Sequence, residues 1–213
     1  MAQRYDAVVV GGGHNGLVCA AYLAKAGRKV LVLEQRHVLG GAATTEEIYP
    51  GFKFSVFSYV VSLFRPHIIR ELELARHGLQ LIPLECSFTP HLDGPGLVRW
   101  PDVYKTRREI SRFSQNDAEV YPEFSLAMSK MAFFVKKIID NPAPDPASLD
   151  PRELFKLLGL ARYFRDLGPD SIHVHTQLLT MSAVDFLKLW FESETLMAPM
   201  SVSGIIGTFL GVR

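Results

Sequence analysis

The residues best suited to chemistry in this chain are Gly11-Gly12-Gly13-His14-Asn15-Gly16 and, 23 positions beyond the first of them, Glu34. This is the spacing with which a backbone turn holds a diphosphate and a carboxylate holds a ribose. Gly11 allows a sharp turn, Gly13 lets a pyrophosphate approach the backbone, and Gly16 lets a following helix lie close to the strands. A helix starting near Asn15 presents unpaired N–H groups and the positive end of its dipole, worth about 0.3–2 kcal/mol toward an anion. His14 lies inside the turn, where it either approaches the phosphates or is simply solvated. Glu34 can accept hydrogen bonds from both ribose hydroxyls and would repel a 2′-phosphate, which argues against NADP.

The elements that must position these groups are legible around them. Tyr5-Asp-Ala-Val-Val-Val10 reads as a strand, residues 17–26 as a helix closed by Gly27, and Lys29-Val-Leu-Val-Leu33 as a second strand with Glu34 at its end. Strand, glycine turn, helix, strand and acid open a dinucleotide-binding βαβ unit. Gln35-Arg36 follows the acid, then Gly40-Gly41-Ala42, a pair of glycines open to conformations closed to other residues. The candidate cofactor-binding set is Gly11, Gly12, Gly13, His14, Asn15, Gly16, Glu34, Gln35, Arg36, Gly40, Gly41 and Ala42. The plainer readings are a glycine-rich turn of an unrelated α/β protein and an ordinary loop at Gly40-Gly41.

GxGxxG, the strand-end acid and Arg36-x-x-x-Gly40-Gly41 together resemble the two-motif signature of FAD-dependent amine oxidase and phytoene desaturase-like flavoproteins. Further along, Pro50-Gly-Phe-Lys-Phe-Ser55, Leu63-Phe-Arg-Pro66, Glu71-Leu-Glu-Leu74, His77-Gly-Leu79, Phe113-Ser-Gln-Asn-Asp-Ala118 and Trp190-Phe-Glu-Ser-Glu194 resemble the carotenoid/retinoid oxidoreductase family. So does Gly204-Ile-Ile-Gly207, and the likeness covers essentially the whole chain. The resemblance implies FAD as cofactor, with Gly40-Gly41 against the flavin diphosphate. It also implies an apolar, polyisoprenoid-like substrate and desaturation of a C–C bond. No catalytic residue presents itself. In that family later parts of the chain complete the sheet, so the expectation is an N-terminal portion, half or less, of a longer flavoprotein. An NAD-linked dehydrogenase and a non-catalytic nucleotide-binding module remain as alternatives.

Composition narrows the classes. Hydrophobic residues are 48% of the 213, enough for a substantial core. A formal net charge of +1 gives no electrostatic case for nucleic acid. Cys19 and Cys86 form no CxxC, so neither a dithiol centre nor a zinc site is suggested, and Cys19 is expected on a packed helix face. The first strand begins within five residues, leaving no room for a signal or transit peptide. A cytoplasmic protein is expected, while the resemblance leaves open the mitochondrial matrix and peripheral membrane association. The apolar stretch 195–212 is interrupted by Pro199, Gly204, Gly207 and Gly211 and reads as one or two core helices rather than a span.

The expected architecture is α/β: residues 1–60 begin a Rossmann-type FAD-binding domain, and residues 61–213 form a largely helical α+β insertion or cap. The sheet is incomplete in this chain. Residues 65–76 read as a helix with Pro66 in its first turn. Residues 79–82, 87–92 and 97–100 read as strands around the Asp93-Gly-Pro-Gly96 turn, forming either a substrate-site wall or a structural insertion. Thr106-Arg-Arg-Glu109 reads as a capping box. A helix over 117–140 carries the apolar stripe Val120, Phe124, Ala127, Met131 and Phe134. Asp150-Pro-Arg-Glu153 starts another helix, with Leu157, Leu158, Ala161 and Phe164 inward, and Ser182-Ala-Val-Asp185 starts a third that runs through Trp190. His173 and His175 read as neighbours on one strand face, too few for a metal site.

Overall fold

The computed structural model describes residues 3–92, 94–206 and 211. The chain divides into two compact units, Met1–Pro83 and Leu84–Arg213.

In the first unit, β1 (Ala7–Val10) and β2 (Val30–Leu33) pair in parallel, in register from Ala7↔Val30 to Val10↔Leu33. α1 (His14–Lys25) makes the crossover, as expected of a βαβ unit. Its end is closed by two bonds, Gly27 N–H to the Ala24 carbonyl and Arg28 N–H to the Leu23 carbonyl, the two-bond cap that a glycine past a helix end makes. Asp6 then accepts from the Lys29 N–H at 2.8 Å and sets the entry to β2. Among the described residues the parallel sheet has only these two strands. Strands so uniformly apolar suit a sheet covered on both faces, yet Val8 is 54% and Val10 84% exposed. The sheet is incomplete, as expected. Cys19, by contrast, is exposed rather than packed, because α1 buries only Ala20 fully.

A hairpin not anticipated from the sequence follows: β3 (Thr45–Tyr49) pairs antiparallel with β4 (Phe52–Ser55) across Pro50-Gly51. A proline and a glycine at the centre of a turn, flanked by aromatic residues, are a hairpin signal. The helix expected over 65–76 is shorter: α2 (Pro66–Glu71) ends before Glu73, whose φ of 52° is left-handed, and a 3-10 turn, Leu74–His77, replaces the rest. Glu71 anchors α2 to α1, accepting from the Tyr22 hydroxyl at 2.7 Å through its carboxylate and from Lys25 through its carbonyl. Residues 79–82 form no strand. Their alternating pattern finds no partner strand, and Ile82 is 85% exposed.

The second unit begins with the antiparallel pair β5 (Ser87–His91) and β6 (Gly94–Arg99), close to the expected strands. α3 (Val103–Ile110) starts earlier than the capping-box reading placed it. Asp102 is the cap, accepting from the Tyr104 and Lys105 N–H groups, so Thr106 falls inside the helix. There it is fully buried, and its hydroxyl both accepts from the Trp100 N–H and donates to the Trp100 carbonyl. α4 (Gln115–Ile139) is capped by Ser114 and carries the expected stripe inward, with Phe124, Met131 and Phe134 buried.

α5 (Pro151–Leu167) starts at the Asp150 cap as expected, but none of its residues is fully buried, and of the expected inward set Leu158, Ala161 and Phe164 are exposed. It lies on the edge of the bundle, where Phe164 meets Phe134 edge to face at 4.8 Å. α6 (Pro169–Thr180) contains His173 and His175, so the strand reading is wrong. Two residues apart on a helix they diverge by about 200°, and His175 is buried while His173 is exposed. α7 (Ala183–Lys188), capped by Ser182, stops short of Trp190. α8 (Glu194–Ser201) buries Leu196 and Met197, as a core helix should. Residues 207–210 and 212, the remainder of that apolar stretch apart from Gly211, lie outside the described residues.

The core gathers Leu97, Ile110, Phe124, Phe186, Phe191 and Leu196. Phe124 sits at its middle, with ring contacts to Phe186, Trp190 and Phe191. A polar clasp closes one side. The buried Asp117 carboxylate accepts from the Glu192 N–H at 2.8 Å and the Ser193 N–H at 2.9 Å, placing a negative charge at the start of α8.

Candidate functional site

The candidate site lies in the first unit, where three chain segments meet through their backbones. β1 runs into Gly11, whose N–H still bonds to the Leu33 carbonyl at 2.7 Å. The chain then turns, and Gly13 opens α1 without any side-chain cap. First-turn N–H groups of an uncapped helix face outward toward whatever anion or water arrives. Gly16 is required by contact: a Cβ there would stand 2.2 Å from the Gly11 carbonyl oxygen.

The Gly40-Gly41 pair packs directly on this turn. The Gly40 N–H bonds to the Gly12 carbonyl at 2.8 Å, and Gly13 and Gly40 form an isolated parallel bridge. Gly41, at φ 59°, comes so close that a Cβ on it would lie 2.9 Å from the Gly13 Cα. Both glycine loops are therefore one structure, a contact that linear spacing alone could not reveal. Gly13 is different. A Cβ there would meet nothing nearer than 3.7 Å, so its lack of a side chain leaves open space at the helix mouth.

Glu34 leaves β2 and reaches back across the turn. One carboxylate oxygen accepts from the Gly12 N–H at 2.6 Å and the other from the Arg36 N–H at 2.9 Å. The Arg36 N–H, and next the Gly12 N–H, hold its carboxyl below the usual carboxylate range. The acid is thus kept ionised and aimed. Each oxygen retains a further lone pair for a hydroxyl donor.

The remaining candidates fall around this frame. His14 and Asn15 are exposed on the first turn of α1. Gln35 is exposed beside the acid. The Ala42 carbonyl accepts from the Ser58 hydroxyl at 3.0 Å. The Arg36 guanidinium is engaged by Glu46 on β3, a partner ten residues away that local pattern did not suggest. A cleft of about 560 Å³ opens against the start of α1, lined by His14, Asn15, Val18, Ser58, Leu63 and Leu81 among others. Its walls are mainly apolar side chains. Among the described residues no cluster of three His, Cys, Asp or Glu could hold a metal. No helix among them is long and apolar enough to cross a membrane.

A glycine turn, an uncapped helix start and a strand-end carboxylate on a parallel βαβ unit define a Rossmann-like nucleotide-binding protein. Residues 9–72 match the family of NAD(P)-binding Rossmann-like domains. Over 97% of its length the chain is 41% identical to pyridine nucleotide-disulfide oxidoreductase domain-containing protein 2 of Rattus norvegicus, and it spans 38% of that relative's length. The chain is a homologue of that protein. It is also 40% identical to a limonene dehydrogenase component of Castellaniella defragrans, over 61% of this chain and 24% of the relative. With all-trans-retinol 13,14-reductase of Danio rerio it shares 42% identity, over 64% of this chain and 22% of the relative.

Proposed function

We propose that this chain supplies the dinucleotide-holding part of a FAD-dependent oxidoreductase acting on an apolar substrate. The observation that carries the reading is the crossing of the two glycine loops beneath an ionised, backbone-aimed Glu34 at the uncapped start of α1. FAD, when bound, accepts or returns a hydride equivalent. The chain's own residues do the rest. The open space at Gly13 and the N–H groups of His14, Asn15 and Gly16 receive the diphosphate. Glu34 accepts from the ribose hydroxyls through its spare lone pairs. The second loop, Gly40-Gly41-Ala42, lines the side of the diphosphate away from the helix.

The apolar walls of the cleft suit a substrate with little polarity and keep water from the reacting region. Two relatives carry terpenoid compounds in their names, limonene and retinol. That supports an isoprenoid-like substrate and chemistry at a carbon–carbon bond for this chain. A nicotinamide cofactor is the second reading, favoured by the description of the matching domain family.

Titration of the purified chain with FAD and, separately, with NAD⁺ tests the proposal. Saturable flavin binding is expected, weakened by about a hundredfold in Gly13→Ala, since the added Cβ meets the phosphate rather than the protein. Circular dichroism and melting of that variant should match the parent. Binding of NAD⁺ without FAD would favour the second reading, and binding of neither would leave a scaffold.

A further inference from the structure

A dinucleotide site tells a free 2′-hydroxyl from a 2′-phosphate by what stands at the ribose edge, an acid for the first and an arginine for the second. This chain has both, Glu34 and, two residues on, Arg36. Glu34 disfavours a 2′-phosphate, but types and spacing alone leave open whether Arg36 is free to offset it. We propose that Glu46 decides it: by occupying the Arg36 guanidinium it withdraws that cation from a 2′-phosphate and leaves the ribose edge to Glu34. This rests on the nucleotide-binding reading above.

The geometry favours a fixed role for Glu46. Thr44, buried, donates its hydroxyl to the Gly41 carbonyl at 2.7 Å, so β3 starts directly from the glycine pair. Glu46 then stands opposite Phe54 in the hairpin register. Its carboxylate meets Arg36 from the strand side, while the Arg36 N–H is held by Glu34. Arg36 is thereby tied at its backbone by one acid and at its guanidinium by another. The local balance is two carboxylates against one guanidinium, unfavourable to a phosphate dianion. Both side chains of the ion pair keep over a third of their surface in water. Such a pair contributes little to folding, so removing its acid should alter selectivity and leave the fold in place.

The test uses the whole chain and two probes, ADP-ribose and 2′-phospho-ADP-ribose, titrated calorimetrically at low ionic strength where surface charges are least screened. The parent should prefer ADP-ribose. Glu46→Gln should tighten 2′-phospho-ADP-ribose by about tenfold, the scale of one charge-assisted hydrogen bond, with ADP-ribose nearly unchanged. Glu46→Asp should keep the parent's preference, and Arg36→Gln added to Glu46→Gln should restore it. If Glu46→Gln shifts both probes equally, or neither, the role given to Glu46 is overturned while the nucleotide site stands. If the folded parent binds neither probe, the nucleotide reading fails first and this inference with it.

Discussion

The two units achieve order by different means. Of the fully buried apolar residues among those described, Ala20 alone lies in the first unit, while Leu97, Ile110, Phe124, Phe186, Phe191, Leu196 and the others lie in the second. The first unit is set by backbone hydrogen bonds and by glycines in contact. The second is set by side chains filling space around Phe124. A binding turn needs backbone groups exposed at fixed positions, and a dense core would cover them. A helical bundle has no such demand and can bury its stripe. Val8, Val10 and Leu33 are exposed on the two-stranded sheet, apolar positions of the kind that a parallel sheet covered on both faces buries.

The contrast can be broken by substitution. Phe124→Ala should cost about 3–5 kcal/mol of stability in urea unfolding, by loss of burial and the cavity left among three rings. A loss below about 1 kcal/mol would mean that the second unit is not held by this cluster. Its effect on FAD affinity under native conditions should be small, and a large one would erase the distinction between the units. Asp117→Ala should cost about 1–3 kcal/mol, since two partly buried N–H groups just before α8 lose a charged acceptor. Near-parent stability would show the clasp to be incidental.

In the first unit the matching change is Gly41→Ala. It should cost about 1–2 kcal/mol through its left-handed backbone and the approach to Gly13. Gly13→Ala should cost almost nothing in stability and most of the flavin affinity. The same loss of stability in both would contradict the assignment of one glycine to packing and the other to ligand approach.

The smallest effects concern pH. Burial lowers the His175 imidazole below its ordinary 6.5, so the folded state favours the neutral ring. The ring lies among Phe134, Phe164 and the Met131 sulfur, 2.7 Å from its Nδ1. Stability from this group is complete above that value and declines as the pH falls below it, because the unfolded chain binds the proton more readily. Glu34, lowered from 4.5, contributes above that value and loses its contribution as the pH falls through its folded value. Acid should therefore weaken the second unit first. Amide exchange resolved by unit checks the order, and His175→Phe should remove the earlier phase.

Much of the first unit was legible because its signals are local. The turn, the helix closed by Gly27 and the acid at the end of β2 each follow from a few adjacent residues. The interior stripe of α4 was equally plain from its period. The failures share a cause. Thr106 looked like a cap, but the helix had already started at Asp102, and its hydroxyl was needed by Trp100. His173 and His175 were read with a strand period on a segment that folds as a helix. Residues 79–82 alternate like a strand but have no neighbour to pair with.

From the amino-acid order alone came the βαβ opening, the candidate glycines, the ionisable partner at Glu34 and the amphipathic stripe of α4, since each depends on backbone preference within a turn or two of chain. Only the folded chain decided that Gly41 rests on Gly13, that Glu46 claims Arg36, and that Asp117 holds the Glu192 and Ser193 N–H groups just before α8. Those pairings join residues 10 to 76 positions apart, and closeness of that kind arises from how segments cross in space, which no local propensity encodes.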